Sequence, residues 1–121
     1  MVYWIMTLFF LGSIVLACGS SKKVNGTAEV KITSTDSITG LNSIQKNDCY
    51  TCHARDRKMV GPSFVNISAR YVADEKTIKK LSLKIMKGGS GSWGNVPMTP
   101  HSYMTSEEVI SVTKYIFSLI N

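Results

Sequence analysis

Apolar positions follow three regimes along the 121 residues. Met1 to Ala17 is mostly apolar and carries no charged side chain. From Gly19 to about Thr39 the chain turns to Ser, Thr, Lys, Gly and Asn, with scattered apolar residues and no sustained period. Ala28-Glu29-Val30-Lys31-Ile32 alternates, yet the segment as a whole reads as a solvated tether. From Gly40 to Asn121 helical spacing takes over. A short helix over Leu41 to Lys46 turns Ile44 inward, and Asn66 to Tyr71 makes another. Asp74 to Lys87 holds Ile78, Leu81, Ile85 and Met86 on one face, opens on acids and is ended by Gly88-Gly89. Thr105 to Ile120 opens with the capping box Thr105-Ser106-Glu107-Glu108 and lines up Val109, Val112, Ile116, Leu119 and Ile120. No two strand-like runs are joined by a hairpin turn. The fold class is all-α, and the chain divides into residues 1–17, 18–39 and 40–121.

The apolar leader is too short to span a bilayer. As a helix, Val2 to Ala17 reaches roughly 24 Å, against the ~30 Å of a hydrocarbon core. A removable signal peptide fits it. The stretch Ile14-Val15-Leu16-Ala17-Cys18-Gly19 resembles the lipobox of bacterial lipoproteins. That resemblance implies cleavage before Cys18 and a lipid on Cys18. An uncleaved anchor and an ordinary signal peptide that happens to end in Cys are the alternatives. Some twenty tether residues, taken as a flexible coil, reach about 25 Å.

The chemistry is concentrated in Cys49-Tyr50-Thr51-Cys52-His53. C-x-x-C-H is the attachment signature of a c-type haem. Two sulfurs three residues apart on a helical turn each meet a haem vinyl carbon, and the following histidine is carried under the iron. A second axial ligand is then needed, and a methionine sulfur is usual in small electron carriers. Trp93-Gly94-Asn95-Val96-Pro97-Met98-Thr99-Pro100 offers Met98 between two prolines. Met104 is the competing sulfur, without that bracket. A dithiol redox pair and half of a zinc site are the other readings of C-x-x-C. Only His53 and His101 remain as histidines to complete a zinc site. The cysteine count closes with Cys18 for lipid and Cys49 and Cys52 for haem. A domain of about eighty residues buries little surface, and two thioethers with an apolar porphyrin staple it.

Taken together, Cys49 to His53, Lys58-Met59-Val60-Gly61-Pro62, Trp93-Gly94 through Pro97-Met98 and the closing amphipathic helix resemble the small class I bacterial cytochromes c, above all the nitrite-reductase-donor type of pseudomonads. The resemblance covers about Gly40 to Leu119. It implies four to five short helices wrapped around one covalently attached haem c, with the terminal helices crossing near Ile44 and Tyr115-Ile116. It implies His53 and Met98 as the axial iron ligands. The Pro62 carbonyl would fix the other nitrogen of His53, and Trp93 would pack the haem and donate its indole N–H to a propionate. Plain core packing for Trp93 and a turn role for Pro62 stay open. His101 stands where those relatives carry the Asn that donates to the Met sulfur. It is a donor to that sulfur, a solvent-facing residue or a rival ligand.

Charge adds a partner class. The chain carries 14 Lys+Arg against 8 Asp+Glu, a formal +6. Arg55, Arg57 and Lys58 follow the haem motif, while Lys76, Lys79, Lys80, Lys84 and Lys87 crowd one helix. Such a surface steers a haem edge toward redox partners with acidic docking surfaces, against the plainer reading of a solvated face. Nucleic acid is a poor partner for an exported haem protein. The reading is therefore an exported, monomeric electron-transfer protein, not an enzyme. It would be tethered to a membrane through Cys18 and face the periplasm or the cell exterior. A haem domain with a labile sixth ligand, peroxidase-like or gas-sensing, is the alternative.

Overall fold

A computed structural model describes residues 28–120. The leader and Cys18, with most of the predicted tether, lie outside the described residues. Thr33 accepts from the Asp36 N–H at 3.1 Å while the Asp36 carboxylate accepts from the Thr33 N–H at 3.0 Å. This capping box starts helix α1, Ser34–Lys46, seven residues earlier than the expected Leu41. The tether reading up to Thr39 is corrected accordingly. Its face toward the domain is built from Gly40, Ser43 and Ile44, so a glycine and a serine stand where a periodic pattern would show apolar residues. The preceding segment is docked as well. The Val30 N–H donates to the Ala73 carbonyl at 2.9 Å, and Val30 and Ile32 pack on Ala73, Ile78 and Phe117.

The remaining helices are α2, Phe64–Arg70, capped by Ser63; α3, Glu75–Lys87, capped by Asp74; and α4, Ser106–Phe117, capped by Thr105 with Glu108 completing the box. Between α3 and α4 lies an antiparallel hairpin of β1, Gly89–Gly91, and β2, Gly94–Met98. The expectation of no hairpin is therefore corrected in this detail, while the fold stays predominantly helical. Exposed glycines at φ 102°, 98° and 106° (Gly89, Gly91, Gly94) carry the turn. A glycine-rich strand offers no side-chain alternation to read.

The terminal helices α1 and α4 pack together as expected, with their close approach at Gly40, one turn before the expected Ile44. A Cβ at Gly40 would collide with the Ser111 carbonyl and come within 2.6 Å of the Tyr115 Cβ. The contact leads into the main core of Ile44, Phe64, Ile85, Met104, Val109, Val112, Tyr115 and Ile116. Buried polar groups along α4 are partnered. Ser82 and Thr113 share a hydrogen bond at 3.2 Å, and the Thr113 hydroxyl also donates to the Val109 carbonyl at 2.9 Å. At the rim of the crossing Lys114 pairs with Asp36 at 3.0 Å.

That pair makes an acid-sensitive contribution. The hydrogen bond from Lys114, then those from Thr33, hold the Asp36 carboxyl below its ordinary value. A depressed folded-state pKa stabilises above the unfolded value of about 4 and is lost as pH falls through the folded value. Asp36→Asn should therefore melt earlier than the parent at pH 7, by an amount worth under ~1 kcal/mol for so accessible a pair. Thermal melts should show the gap closing below about pH 4.

Candidate haem site

The site begins where α1 ends. Asn47 closes the helix, its backbone and side-chain N–H groups both reaching the Ser43 carbonyl, at 3.1 and 2.7 Å. Asp48 then takes the left-handed conformation, φ 55°, a region that Asp tolerates better than most residues. The chain turns into a 3₁₀ segment, Cys49–Thr51, with the Cys52 and His53 N–H groups both donating to the Cys49 carbonyl at 3.3 and 3.0 Å. In a 3₁₀ turn residues three apart eclipse, which sets Cys49 and Cys52 on one side. Neither is in a disulfide.

His53 is held from below by the loop that follows it. The Gly61 N–H donates to the Cys52 carbonyl at 2.8 Å, folding residues 55–61 back under the ring. His53 Nδ1 lies 2.7 Å from the Pro62 carbonyl oxygen. A carbonyl only accepts, so Nδ1 carries the proton and Nε2 keeps its lone pair. A Cβ at Gly61 would stand 2.8 Å from Nδ1 and 2.9 Å from Nε2; only glycine leaves room for the ring. Phe64 stacks on the other side, with centroids 5.4 Å apart and planes 15° apart. The imidazole is thus fixed in tautomer and orientation before any ligand arrives.

Met98 ends β2, partly buried against the main core, as is Cys49. Gly88 (φ 66°) makes this approach possible, because a Cβ there would strike the Met98 carbonyl and lie 2.8 Å from the Pro100 nitrogen. Met104 is 3% exposed inside the core, and Met59 lies on the surface. His101 donates its backbone N–H to the Ile85 carbonyl at 3.0 Å, while its Nδ1 is buried with no partner among the described residues. An orphaned buried nitrogen three residues from Met98 calls for a group that is not part of the polypeptide framework, or for the sulfur itself.

Trp93 is not a core residue. It is 40% exposed, with the Arg70 guanidinium 4.4 Å above its ring and Tyr71 edge-on at 6.5 Å. Arg70 also donates to the Ser92 carbonyl at 2.7 Å, pinning the hairpin turn to the end of α2. A cleft of about 230 Å³ lined by Lys58, Val60, Pro62, Asn66 and Trp93 joins the Lys58–Pro62 motif to Trp93. Gly61, Phe64 and Arg70 were not singled out. Gly61 carried a signal, standing inside the Lys58–Pro62 motif, but Arg70 carried none, since its stacking depends on the hairpin reaching α2.

The donor set argues against the other uses of C-x-x-C. Burial pushes the Cys49 thiol above its ordinary value, whereas a redox dithiol needs a thiol whose pKa is lowered. Among the described residues no group of three or more His, Cys, Asp or Glu could hold a metal ion, so zinc lacks its tetrahedron. A haem c fits: paired sulfurs on one side of a turn, a pre-set imidazole with a free Nε2, an orphaned buried nitrogen on His101 and a cleft beside Pro62.

Residues 40–119 match the family model for cytochrome c. The chain is 33% identical to cytochrome c-551 of Allochromatium vinosum, over 68% of its own length and 87% of the relative's. Against cytochrome c-551 of Azotobacter vinelandii it is 41% identical, over 57% and 84% of the two chains. Among solved structures, cytochrome c552 of Nitrosomonas europaea superposes with a TM-score of 0.61 and 32% identity, covering 65% of this chain and 98% of that one. The all-α reading and the covalently attached haem c are thereby borne out, and Cys49, Cys52 and His53 fit the C-x-x-C-H motif. The chain belongs to the cytochrome c family of monohaem electron carriers, whose haem c is covalently attached.

Proposed function

We propose that the protein is a membrane-tethered, single-electron carrier in which Cys49 and Cys52 hold the haem and His53 and Met98 ligate its iron. The bound group supplies the chemistry, a one-electron change between ferric and ferrous iron; the polypeptide sets access, orientation and potential. The observation that carries the reading is the 2.7 Å contact of His53 Nδ1 with the Pro62 carbonyl. It leaves Nε2 as the ligand atom, and an acceptor on the far nitrogen raises its basicity. Gly61 and Phe64 keep the ring from turning. Met98 supplies the second ligand because Met104 is committed to the core. In this reading Trp93, steadied by Arg70, donates its indole N–H to a propionate.

A rigid second ligand favours electron transfer over the peroxidase-like or gas-sensing alternative. Carbon monoxide added to the reduced protein at neutral pH should leave the visible spectrum unchanged; an adduct would favour the alternative. In this reading the protein works as the nitrite-reductase donors of pseudomonads do, as a monomer with partners whose docking surfaces are acidic.

Residues 1–17 act as the signal peptide and Cys18 as the lipidated residue, so the domain works outside the cytoplasmic membrane, facing the periplasm or the cell exterior. The docking of Val30 and Ile32 leaves only about ten residues after Cys18 as tether. Cys18→Ser should release the protein from membrane fractions washed at high salt, with its haem spectrum intact. Persistent retention would make residues 1–17 an uncleaved anchor.

A further inference from the structure

Helix α3 turns Ile78, Ser82 and Ile85 into the protein. Its outer face presents Lys76, Lys80, Leu83 and Lys87, one residue per turn, with Lys79 alongside, all exposed. Lys84 bends away toward the Ser90 carbonyl at 3.5 Å. The only ion pair among the described residues is Lys114–Asp36, so no carboxylate is paired with this row. The neighbouring Asp74 carboxylate accepts from the Thr77 N–H at 2.7 Å and feels the charge of Lys76 without forming an ion pair, while the Lys80 ammonium lies 5.6 Å from the Tyr71 ring. Lysines three and four apart repel one another and destabilise a helix. A row kept in that state is complementary to an external anionic surface.

The path of the chain indicates which surface. The Val30 N–H donates to the Ala73 carbonyl, and Glu29 forms an isolated bridge with Asp74, the cap of α3. The segment coming from Cys18 therefore joins the domain at the first turn of the lysine row. The eleven steps from Cys18 to Glu29 span at most about 40 Å even fully extended, and α3 itself is about 20 Å long. A lipid on Cys18 holds the start of the row within that distance of the bilayer. Val72, just before α3, and Leu83, within the row, are 66% and 42% exposed. Apolar side chains among lysines suit the headgroup boundary of a membrane.

We propose that the outer face of α3 docks on the surface of an anionic bilayer and orients the domain there. The argument for which surface it meets rests on the lipidated-Cys18 reading; the charge row does not. Full-length holoprotein carrying Cys18→Ser separates the two. It should co-sediment with vesicles containing phosphatidylglycerol, release as salt rises, and ignore pure phosphatidylcholine vesicles. Adding Lys76→Gln/Lys80→Gln/Lys87→Gln should weaken the anionic binding on the order of a hundredfold, each lysine near such a surface contributing about fivefold, with the haem spectrum unchanged. Lys46→Gln/Arg55→Gln/Arg57→Gln removes the same charge elsewhere and should cost far less. Equal losses for the two triple variants would reduce the effect to net charge and overturn the proposal. So would undiminished binding by the α3 variant, or binding to both vesicle types alike. Failure of Cys18→Ser to leave cell membranes at high salt, where the lysine row no longer holds, would count against the lipid anchor alone.

Discussion

Cys49→Ala/Cys52→Ala protein, produced without attached haem, is expected to show only a small fraction of the parent's helical circular dichroism and little protection of its amides from exchange. The core explains why. Leu41, Cys49, Ile67, Met86, Met98 and Leu119 pack only partly buried against the central cluster, and Met59, Val60, Trp93 and Val96 lie exposed nearby in sequence to the site. A domain of about eighty residues has a thin margin, typically no more than ~5 kcal/mol from its core alone. Removing an apolar group bound only by the folded state takes away its linkage contribution, and the two covalent anchors with it. The loss should exceed that margin. A variant with native-like helix content would mean that α1 and α4, crossing at Gly40, suffice to hold the fold.

Replacing Met98 is the second large effect. Met98→Ala should abolish the weak long-wavelength charge-transfer band that a methionine sulfur gives ferric haem, and should let carbon monoxide bind the reduced protein at neutral pH. The fold should survive, since Met98 is only half-buried at the end of a surface hairpin. Met104→Ala is the informative contrast. With 3% exposure in the central cluster, its loss should cost about 2–5 kcal/mol of stability while the band remains and carbon monoxide is still excluded. If Met104→Ala is the variant that opens the iron, the ligand assignment is reversed. His101 adds a graded check: if its orphaned Nδ1 supports the sulfur, His101→Ala should weaken the band without abolishing it.

The sequence alone determined what is local. Cys49, Cys52 and His53 announce a haem because that chemistry needs fixed spacing on one turn. Helices α3 and α4 announce themselves through apolar period and the residues that open them, Asp74 and Thr105. Met98 stood out because prolines bracket it. Tertiary structure decided everything that depends on two segments meeting. The Thr33–Asp36 box starts α1 at Ser34, but its packing rests on Gly40 and Ser43 letting α4 come close, and smallness at a crossing leaves no apolar signal. The hairpin exists because glycines reach positive φ, a freedom that no alternation pattern records. Gly61 matters only once the loop folds beneath His53, and Arg70 only once the hairpin brings Trp93 to it. Residues 29–33 read as solvated linker, yet Val30 and Ile32 dock on Ala73, Ile78 and Phe117, and two alternating apolar side chains are too short a pattern to announce a contact with residues forty and more positions away.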